Sequence, residues 1–171
     1  MSADSTATKQ LDKQVQKNRR GENQRFQLLT GSSEWRVRHA ETLGQFSLME
    51  TIVPPGTGVP VHRHAENEVF YLLEGRLEIA RVVNGVPEWM SAEPGDCIHV
   101  PGDVWHGFRN PGTVPARMLT LALGELGAFF EEAGKQLAPG EIPAPPTPEA
   151  VQHLREVSTK YRQAFFPVAG R

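Results

Sequence analysis

The feature that most limits the possible folds is a succession of short β-prone segments separated by glycine and proline turns. Between residues 25 and 123, segments such as 45–53 and 76–83 are rich in β-branched and other apolar residues. Pro-Pro-Gly at 54–56 and Asn-Gly at 84–85 are strong turn signals. No helical segments alternate with these strands. We therefore predict an all-β fold, an antiparallel sandwich or a small barrel.

Two histidines and a glutamate lie close together within this pattern. The sequence positions of His62, His64 and Glu68 differ by even numbers, so in an extended segment their side chains point to one face. Two neutral imidazoles and a carboxylate are ligands that suit Fe, Mn, Ni, Cu, Co or Zn. His106 is a fourth candidate ligand. These residue types predict that the chain binds one divalent transition metal.

The candidate ligands are embedded in two spaced motifs. The first, G-x5-H-x-H-x3-E-x6-G, is formed by Gly56, His62, His64, Glu68 and Gly75. The second, G-x5-P-x-G-x2-H-x3-N, is matched by Gly95, Pro101, His106 and Asn110, with Asp103 in place of its second glycine. Aspartate tolerates left-handed turn geometry better than most residues, so we interpret Asp103 as a tolerated variant.

Together the two motifs resemble those of the cupin superfamily. The resemblance implies a double-stranded β-helix, also called a jelly-roll or cupin barrel. It also implies a metal centre of three histidines and one glutamate, formed by His62, His64, His106 and Glu68. Because the sequence contains no internal repeat, the chain is expected to be a monocupin.

The chain of 171 residues fits one domain with extensions. Residues 1–24 are polar and are predicted to form a flexible arm. Residues 25–124 are predicted to form the β-barrel. Residues 125–171 are predicted to form a C-terminal helical extension, with a proline-rich linker at 139–148.

A final helix is predicted after the linker, with Thr147 as its N-cap and Pro148 in its first turn. Its apolar stripe at helical spacing consists of Val151, Leu154, Val157 and Tyr161, and Phe165 extends it. We expect this stripe to pack on the barrel or on a second subunit. The tail resembles that of bacterial quercetin 2,3-dioxygenase-like monocupins. This resemblance and the apolar helix predict a homodimer.

Composition narrows the possible partners and the compartment. The net charge of −2 gives no electrostatic reason to expect binding to nucleic acid or to an anionic membrane. No apolar run reaches membrane-spanning length. Cys97 is the single cysteine and forms no internal disulfide, which favours a cytoplasmic location.

The ligand set and its surroundings suggest a function. Four protein ligands leave coordination positions open for a substrate. Six apolar residues are candidates for the substrate pocket, namely Phe46, Leu48, Phe70, Leu72, Trp105 and Phe108. Such walls suit a small-molecule substrate that is flat and aromatic or bears an enol. The resemblance implies that Glu68 is also the catalytic general base.

We therefore predict a metal-dependent dioxygenase that acts on a phenolic, flavonol-like or enolisable small molecule. Two alternatives remain open. The first is a non-redox isomerase or lyase that uses the metal as a Lewis acid. The second is a cupin that binds a small molecule without turnover.

Overall fold

The structure is a computed structural model that describes residues 14–29 and 31–167. This part of the chain contains twelve strands, two α-helices and one 3₁₀ turn, His39–Thr42. The strands are β1 (Arg25–Leu28), β2 (Gly31–Val37), β3 (Phe46–Val53), β4 (Gly58–Arg63), β5 (Glu68–Glu74), β6 (Leu77–Val83), β7 (Val86–Ala92), β8 (Cys97–Val100), β9 (His106–Arg109), β10 (Ala116–Leu123), β11 (Lys135–Leu137) and β12 (Ala164–Phe165). The helices are α1 (Leu126–Ala133) and α2 (Pro148–Lys160).

The strands of the described residues form two antiparallel sheets. The seven-stranded sheet has the order β11-β1-β2-β3-β10-β5-β8, and the five-stranded sheet has the order β12-β4-β9-β6-β7. Neighbours such as β3 and β10, or β5 and β8, are distant in sequence, as expected when a chain crosses repeatedly between two sheets. This arrangement confirms the predicted all-β double-stranded β-helix.

Apolar side chains from both sheets fill the space between them. Phe70 and Leu72 on β5 meet Ile79 on β6 and Phe108 on β9 in one core cluster. The rings of Phe70 and Phe108 lie edge to face with centroids 5.6 Å apart. Burying a side chain of this size stabilises the fold by about 1.5–3 kcal/mol, so this cluster is a main reason why the two sheets stay together.

Asn110, the last residue of the second motif, connects two turns. Its side-chain amide donates hydrogen bonds to the carbonyl oxygens of Val53 and Val114, each at 2.9 Å. The backbone carbonyl oxygen of Asn110 accepts a hydrogen bond from Gly56 N at 2.9 Å. The asparagine is 1% exposed. It therefore satisfies buried backbone groups in the turns that flank the metal-ligand strands, and its role is structural.

The C-terminal extension contributes to both sheets as well as supplying helices. β11 pairs with β1, and β12 pairs with β4. The predicted cap of α2 is present, because Thr147 Oγ1 accepts from Ala150 N at 3.2 Å. The division of the chain at residues 24 and 124 stays a prediction, although β1 begins and β10 ends next to these positions.

The apolar stripe of α2 packs on its own chain. Leu154 and Val157 are buried with Phe129 of α1 and Trp35 of β2. Tyr161 packs against the same cluster. Phe165 does not extend the stripe as predicted, because the helix ends at Lys160 and Phe165 belongs to β12.

The described part of the predicted N-terminal arm contacts the barrel. Glu34 of β2 accepts hydrogen bonds from the backbone of Gly21 and Asn23. Arg20 forms an ion pair with Glu50 of β3 at 3.0 Å. Residues 1–13 lie outside the described residues. None of the helices in residues 14–29 and 31–167 is long and apolar enough to cross a membrane.

Candidate metal centre

The three histidines and the glutamate predicted as ligands come together between β4, β5 and β9. His62 lies on β4 and pairs with His106, the first residue of β9. His64 follows the end of β4, and Glu68 begins β5. Because β4 and β9 are hydrogen-bonded neighbours, residues separated by more than forty positions in sequence become adjacent.

Each imidazole is oriented by a backbone carbonyl. His62 Nδ1 lies 2.9 Å from Pro60 O, His64 Nδ1 lies 3.0 Å from Glu66 O, and His106 Nδ1 lies 2.8 Å from Val104 O. A carbonyl oxygen only accepts, so each Nδ1 carries the proton in the neutral ring. Each Nε2 then has a free lone pair, which is the state that binds a metal.

The ligand atoms are close enough to share one ion. One ring nitrogen from each of His62, His64 and His106 lies within 4.8 Å of the others. Glu68 Oε2 lies 3.6 Å from His64 Nε2 and 3.4 Å from His106 Nε2. A first-row ion bonds nitrogen or oxygen at about 2.0–2.2 Å, so ligand atoms about 3–4 Å apart fit around it.

Two of these nitrogens have no protein partner. His64 Nε2 and His106 Nε2 are buried, and within the described residues neither makes a hydrogen bond. Burying a polar atom without a partner is costly. A divalent transition metal would satisfy both atoms at once, so the residues present fit such an ion.

Burial and mutual contacts set the charges of the centre. Burial, reinforced by His106, lowers the pKa of His62 to about 4. Burial alone would raise the pKa of Glu68, but the adjacent His106 and His64 imidazoles outweigh it and lower that pKa to about 2. Burial opposes charge on His64, but Glu68 overcomes this effect and raises the pKa of His64. A neutral His62 and an ionised Glu68 are in the protonation states that metal ligands require.

The loop before His106 holds the segment that follows β4. Asp103 has φ +62°, and its backbone N–H donates to His64 O at 2.7 Å. A Cβ on Gly102 would lie 2.1 Å from Ala65 O. Asp103 therefore adopts the left-handed conformation predicted for it, while Gly102 allows the close approach of the two backbones.

The metal centre opens into a largely apolar cavity. About 850 Å³ of space between and in front of its walls is not filled by protein atoms, and this volume includes open solvent at the cavity mouth. Its apolar walls include Phe26, Met49, Phe70, Phe108, Phe129 and Phe165. Within the described residues, the ionisable groups in this lining are His62, His64 and Glu68 of the metal centre.

The predicted substrate pocket agrees with this cavity at two of its six positions. Phe70 and Phe108 line it, whereas Leu72 packs in the core cluster. Phe46 and Leu48 do not line it, because Met49, Thr51 and Val53 occupy the inward face of β3. Trp105 also lies outside the lining. Its ring packs against the Arg63 guanidinium, whose central carbon lies 4.6 Å from the ring centroid of Trp105.

Several wall residues come from segments that sequence reasoning did not assign to the pocket. They are contributed by α1, α2 and β12 of the C-terminal extension and include Phe129, Leu154, Ser158 and Phe165. Phe165 pairs with His62, and their ring centroids are 6.4 Å apart. The apolar stripe of α2 was the available signal, but its spacing does not reveal which surface it covers.

Comparisons with known proteins agree with this geometry. Residues 49–122 match the family model of the cupin domain. An uncharacterized protein of Methanocaldococcus jannaschii is 36% identical over 74 residues, which are 43% of this chain and 56% of that protein. Quercetin 2,3-dioxygenase of Bacillus subtilis is 31% identical over 110 residues, which are 63% of this chain and 32% of that enzyme. The chain thus spans about half or less of the length of these curated relatives.

A solved structure supports the same assignment at the level of the fold. The polyketide cyclase RemF of Streptomyces resistomycificus superposes with a TM-score of 0.56 at 22% identity, covering 64% of this chain and 80% of that one. Both motifs and all four candidate ligands lie inside residues 49–122. Residues 49–122 form a cupin domain, and this part of the chain belongs to the cupin superfamily.

Proposed function

We propose that this protein is a metal-dependent dioxygenase that acts on a phenolic, flavonol-like or enolisable small molecule. The observation that carries the proposal is the convergence of one ring nitrogen from each of three histidines and the Glu68 carboxylate at the wall of an apolar, aromatic-lined cavity. The 31% identity to quercetin 2,3-dioxygenase over 63% of the chain supports it. An aromatic lining suits a flat, mostly apolar substrate.

His62, His64, His106 and Glu68 would hold the metal, which is one of Fe, Ni, Mn, Cu, Co or Zn. When bound, such an ion polarises a substrate oxygen and provides a position where substrate and dioxygen meet. The carbonyl groups of Pro60, Glu66 and Val104 keep the imidazoles oriented before the ion arrives. This preorganisation avoids the cost of ordering the ligands on binding.

Glu68 is positioned to take the substrate's proton. Its oxygen lies beside the nitrogens of His64 and His106, so a hydroxyl oriented at the metal centre would be within reach. The proton of the phenol or enol passes to the carboxylate, and the substrate becomes an electron-rich anion.

The walls orient the anion and exclude bulk water. Phe70 and Phe108, which meet edge to face, form an apolar surface against which an aromatic ring packs. In a dioxygenase reaction both atoms of O₂ enter the organic product, so the substrate supplies the electrons and no external reductant is needed. Exclusion of water protects the reactive anion from protonation before oxygen reacts.

We expect oxygen uptake that depends on substrate. The apoprotein would be loaded separately with Fe, Ni, Mn, Cu, Co or Zn and mixed with flavonols, simple phenols and 1,3-diketones in an oxygen electrode. The expected result is about one O₂ consumed per substrate converted, with no conversion under argon. A matched sample without metal is the control.

The two alternative functions give different results in this assay. Conversion that proceeds equally under argon indicates a non-redox isomerase or lyase. Tight binding of a probe with no conversion by any metal form indicates a binding protein. Either result would contradict the dioxygenase proposal.

We also propose that the protein is a homodimer that buries the outer face of the seven-stranded sheet. The pairing of β5, β10 and β3 places five apolar residues side by side on this face, namely Leu48, Val69, Tyr71, Leu119 and Leu121. Tyr71 is 43% exposed. The α2 stripe is already buried within the chain, so the sheet face is the better candidate for the subunit contact.

Light scattering is expected to give twice the mass of one chain at micromolar concentration. Leu119→Asp should shift the protein to the monomer, because it places an additional acidic group between Tyr71 and Glu50 within the contact. Ile142→Asp changes an exposed apolar residue elsewhere (82% exposed) and should leave the dimer intact. A monomeric native protein, or a dimeric Leu119→Asp variant, would refute this interface.

A further inference from the structure

Two hydroxyl groups are buried in the wall of the cavity without a protein partner. Ser158 on α2 is 2% exposed, and Thr120 on β10 is 3% exposed. Both residues line the cavity that contains the metal ligands. Within the described residues, neither Ser158 Oγ nor Thr120 Oγ1 makes a hydrogen bond. Burying a hydroxyl without a hydrogen bond is unfavourable, so both are available to a molecule that enters the cavity.

Other hydroxyls in the same lining are already paired. Ser33 Oγ and Thr51 Oγ1 lie 2.9 Å apart and share a hydrogen bond. Thr57 Oγ1 donates to Pro54 O at 2.8 Å. Among the hydroxyl groups of the described lining, the lack of a hydrogen-bond partner is therefore particular to Ser158 and Thr120.

Both residues are tied to the elements that carry the metal ligands. Ser158 O accepts from Gln163 N at 2.8 Å. Two residues later, Phe165 pairs with His62. Thr120 lies on the same face of β10 as Ala122, which is opposite Glu68. A ligand at the metal centre would thus share its cavity with both hydroxyls.

The charge of the lining restricts what these hydroxyls would bind. Apart from the metal centre, the described lining contains no acidic or basic side chain. A carboxylate, phosphate or ammonium group placed there would lose its hydration without gaining a counter-charge. A hydroxyl or carbonyl group would lose less and would gain hydrogen bonds from the serine and the threonine.

We propose that Ser158 and Thr120 are specificity-determining residues that hydrogen-bond a second, uncharged polar group of the substrate. The ligand they select is mostly apolar, has its first oxygen at the metal centre, and carries a hydroxyl or carbonyl group further along its skeleton. This inference rests on the proposed function for the class of ligand, which is phenolic or enolisable. Ser158 lies outside residues 49–122, so part of this selectivity comes from the C-terminal extension.

The test measures binding under argon, so that turnover does not enter. Full-length metal-loaded protein is titrated with 3-hydroxyflavone and with analogues that carry one added ring hydroxyl. A second pair of probes, 3-hydroxyflavones that carry either a hydroxyl or a carboxylate at the same ring position, tests the preference for an uncharged second group. We expect at least one hydroxylated flavonol to bind about tenfold tighter than 3-hydroxyflavone, and to bind about tenfold tighter than the matching ring carboxylate.

Ser158→Ala and Thr120→Val should each reduce the advantage of the added hydroxyl to about threefold or less while leaving the affinity for 3-hydroxyflavone nearly unchanged. Thr159→Ala is the matched control on the same helix. The Thr159 hydroxyl is exposed and donates to Arg155 O at 2.9 Å. The Thr159→Ala variant should therefore still bind the hydroxylated flavonol about tenfold tighter than 3-hydroxyflavone.

If both variants kept the full affinity gain from the added ring hydroxyl, the proposal would be overturned. The hydroxyls of Ser158 and Thr120 would then be hydrogen-bonded to ordered water and not to the substrate. Equal affinity for the ring hydroxyl and the matching ring carboxylate, or no binding of any probe, would overturn it as well. The proposed function fails separately. A hydroxyl preference without oxygen uptake contradicts the dioxygenase alone, and oxygen uptake without the preference contradicts this inference alone.

Discussion

Replacement of His106 by alanine is expected to abolish metal binding and activity. The imidazole supplies one of three converging ring nitrogens, and its Nε2 lies 3.4 Å from Glu68 Oε2. Loss of one of four ligands should weaken affinity by about two to three orders of magnitude, which is more than the roughly 10- to 100-fold effect of losing an outer hydrogen-bond partner. Elemental analysis of protein purified without metal-affinity resin should show about one equivalent in the native chain and almost none in the variant.

His99→Ala is the matched control for this experiment. His99 is exposed, and its Nε2 lies 3.3 Å from Asn67 Oδ1, outside the metal centre. This variant should keep its metal. Because removal of a buried ring also leaves a void, His106→Gln and a thermal unfolding curve would separate loss of the ligand from loss of the fold. A well-folded His106 variant with a full equivalent of metal would contradict the proposed ligand set.

Replacement of Glu68 by glutamine should reduce turnover far more than metal content. The amide has nearly the same shape as the carboxylate and leaves the three histidines in place, but it has no negative charge and does not accept a proton. We expect at least half of the metal to remain and turnover to fall by about 100- to 10,000-fold, the range typical of a lost general base. Metal content and initial rates with the best substrate from the oxygen assay would be measured on the same preparation.

Glu66→Gln tests whether the charge alone matters. Glu66 Oε2 lies 3.6 Å from His64 Nδ1, on the side of the ring away from Glu68. This variant should retain both metal and most activity. Full turnover in Glu68→Gln would show that the general-base role assigned to Glu68 is wrong. If metal content and activity fell by the same factor, Glu68 would act as a metal ligand and not as a general base.

Predictions from strand parity were correct where one face of a strand was clearly distinct. Glu68, Phe70 and Leu72 alternate with more exposed residues such as Tyr71, and all three face the interior. Parity was not sufficient on β3, because apolar residues occur on both of its faces. Pairing with β10 turns Met49 inward, opposite Thr120, and leaves Phe46 and Leu48 outside the cavity. The choice between the two faces is made by the neighbouring strands.

The sequence alone was sufficient for the all-β fold class, because turn residues act locally. The four candidate ligands were predicted from the resemblance of two spaced motifs, although His62, Glu68 and His106 lie on three different strands. The tertiary structure decided which residues enclose the metal centre. Ser158 and Phe165 reach the cavity because β12 adds to the edge of β4 and α2 packs on α1. A contact such as that between Phe165 and His62, which are more than one hundred residues apart, leaves no local periodicity, so only the folded chain shows that the C-terminal extension completes the site.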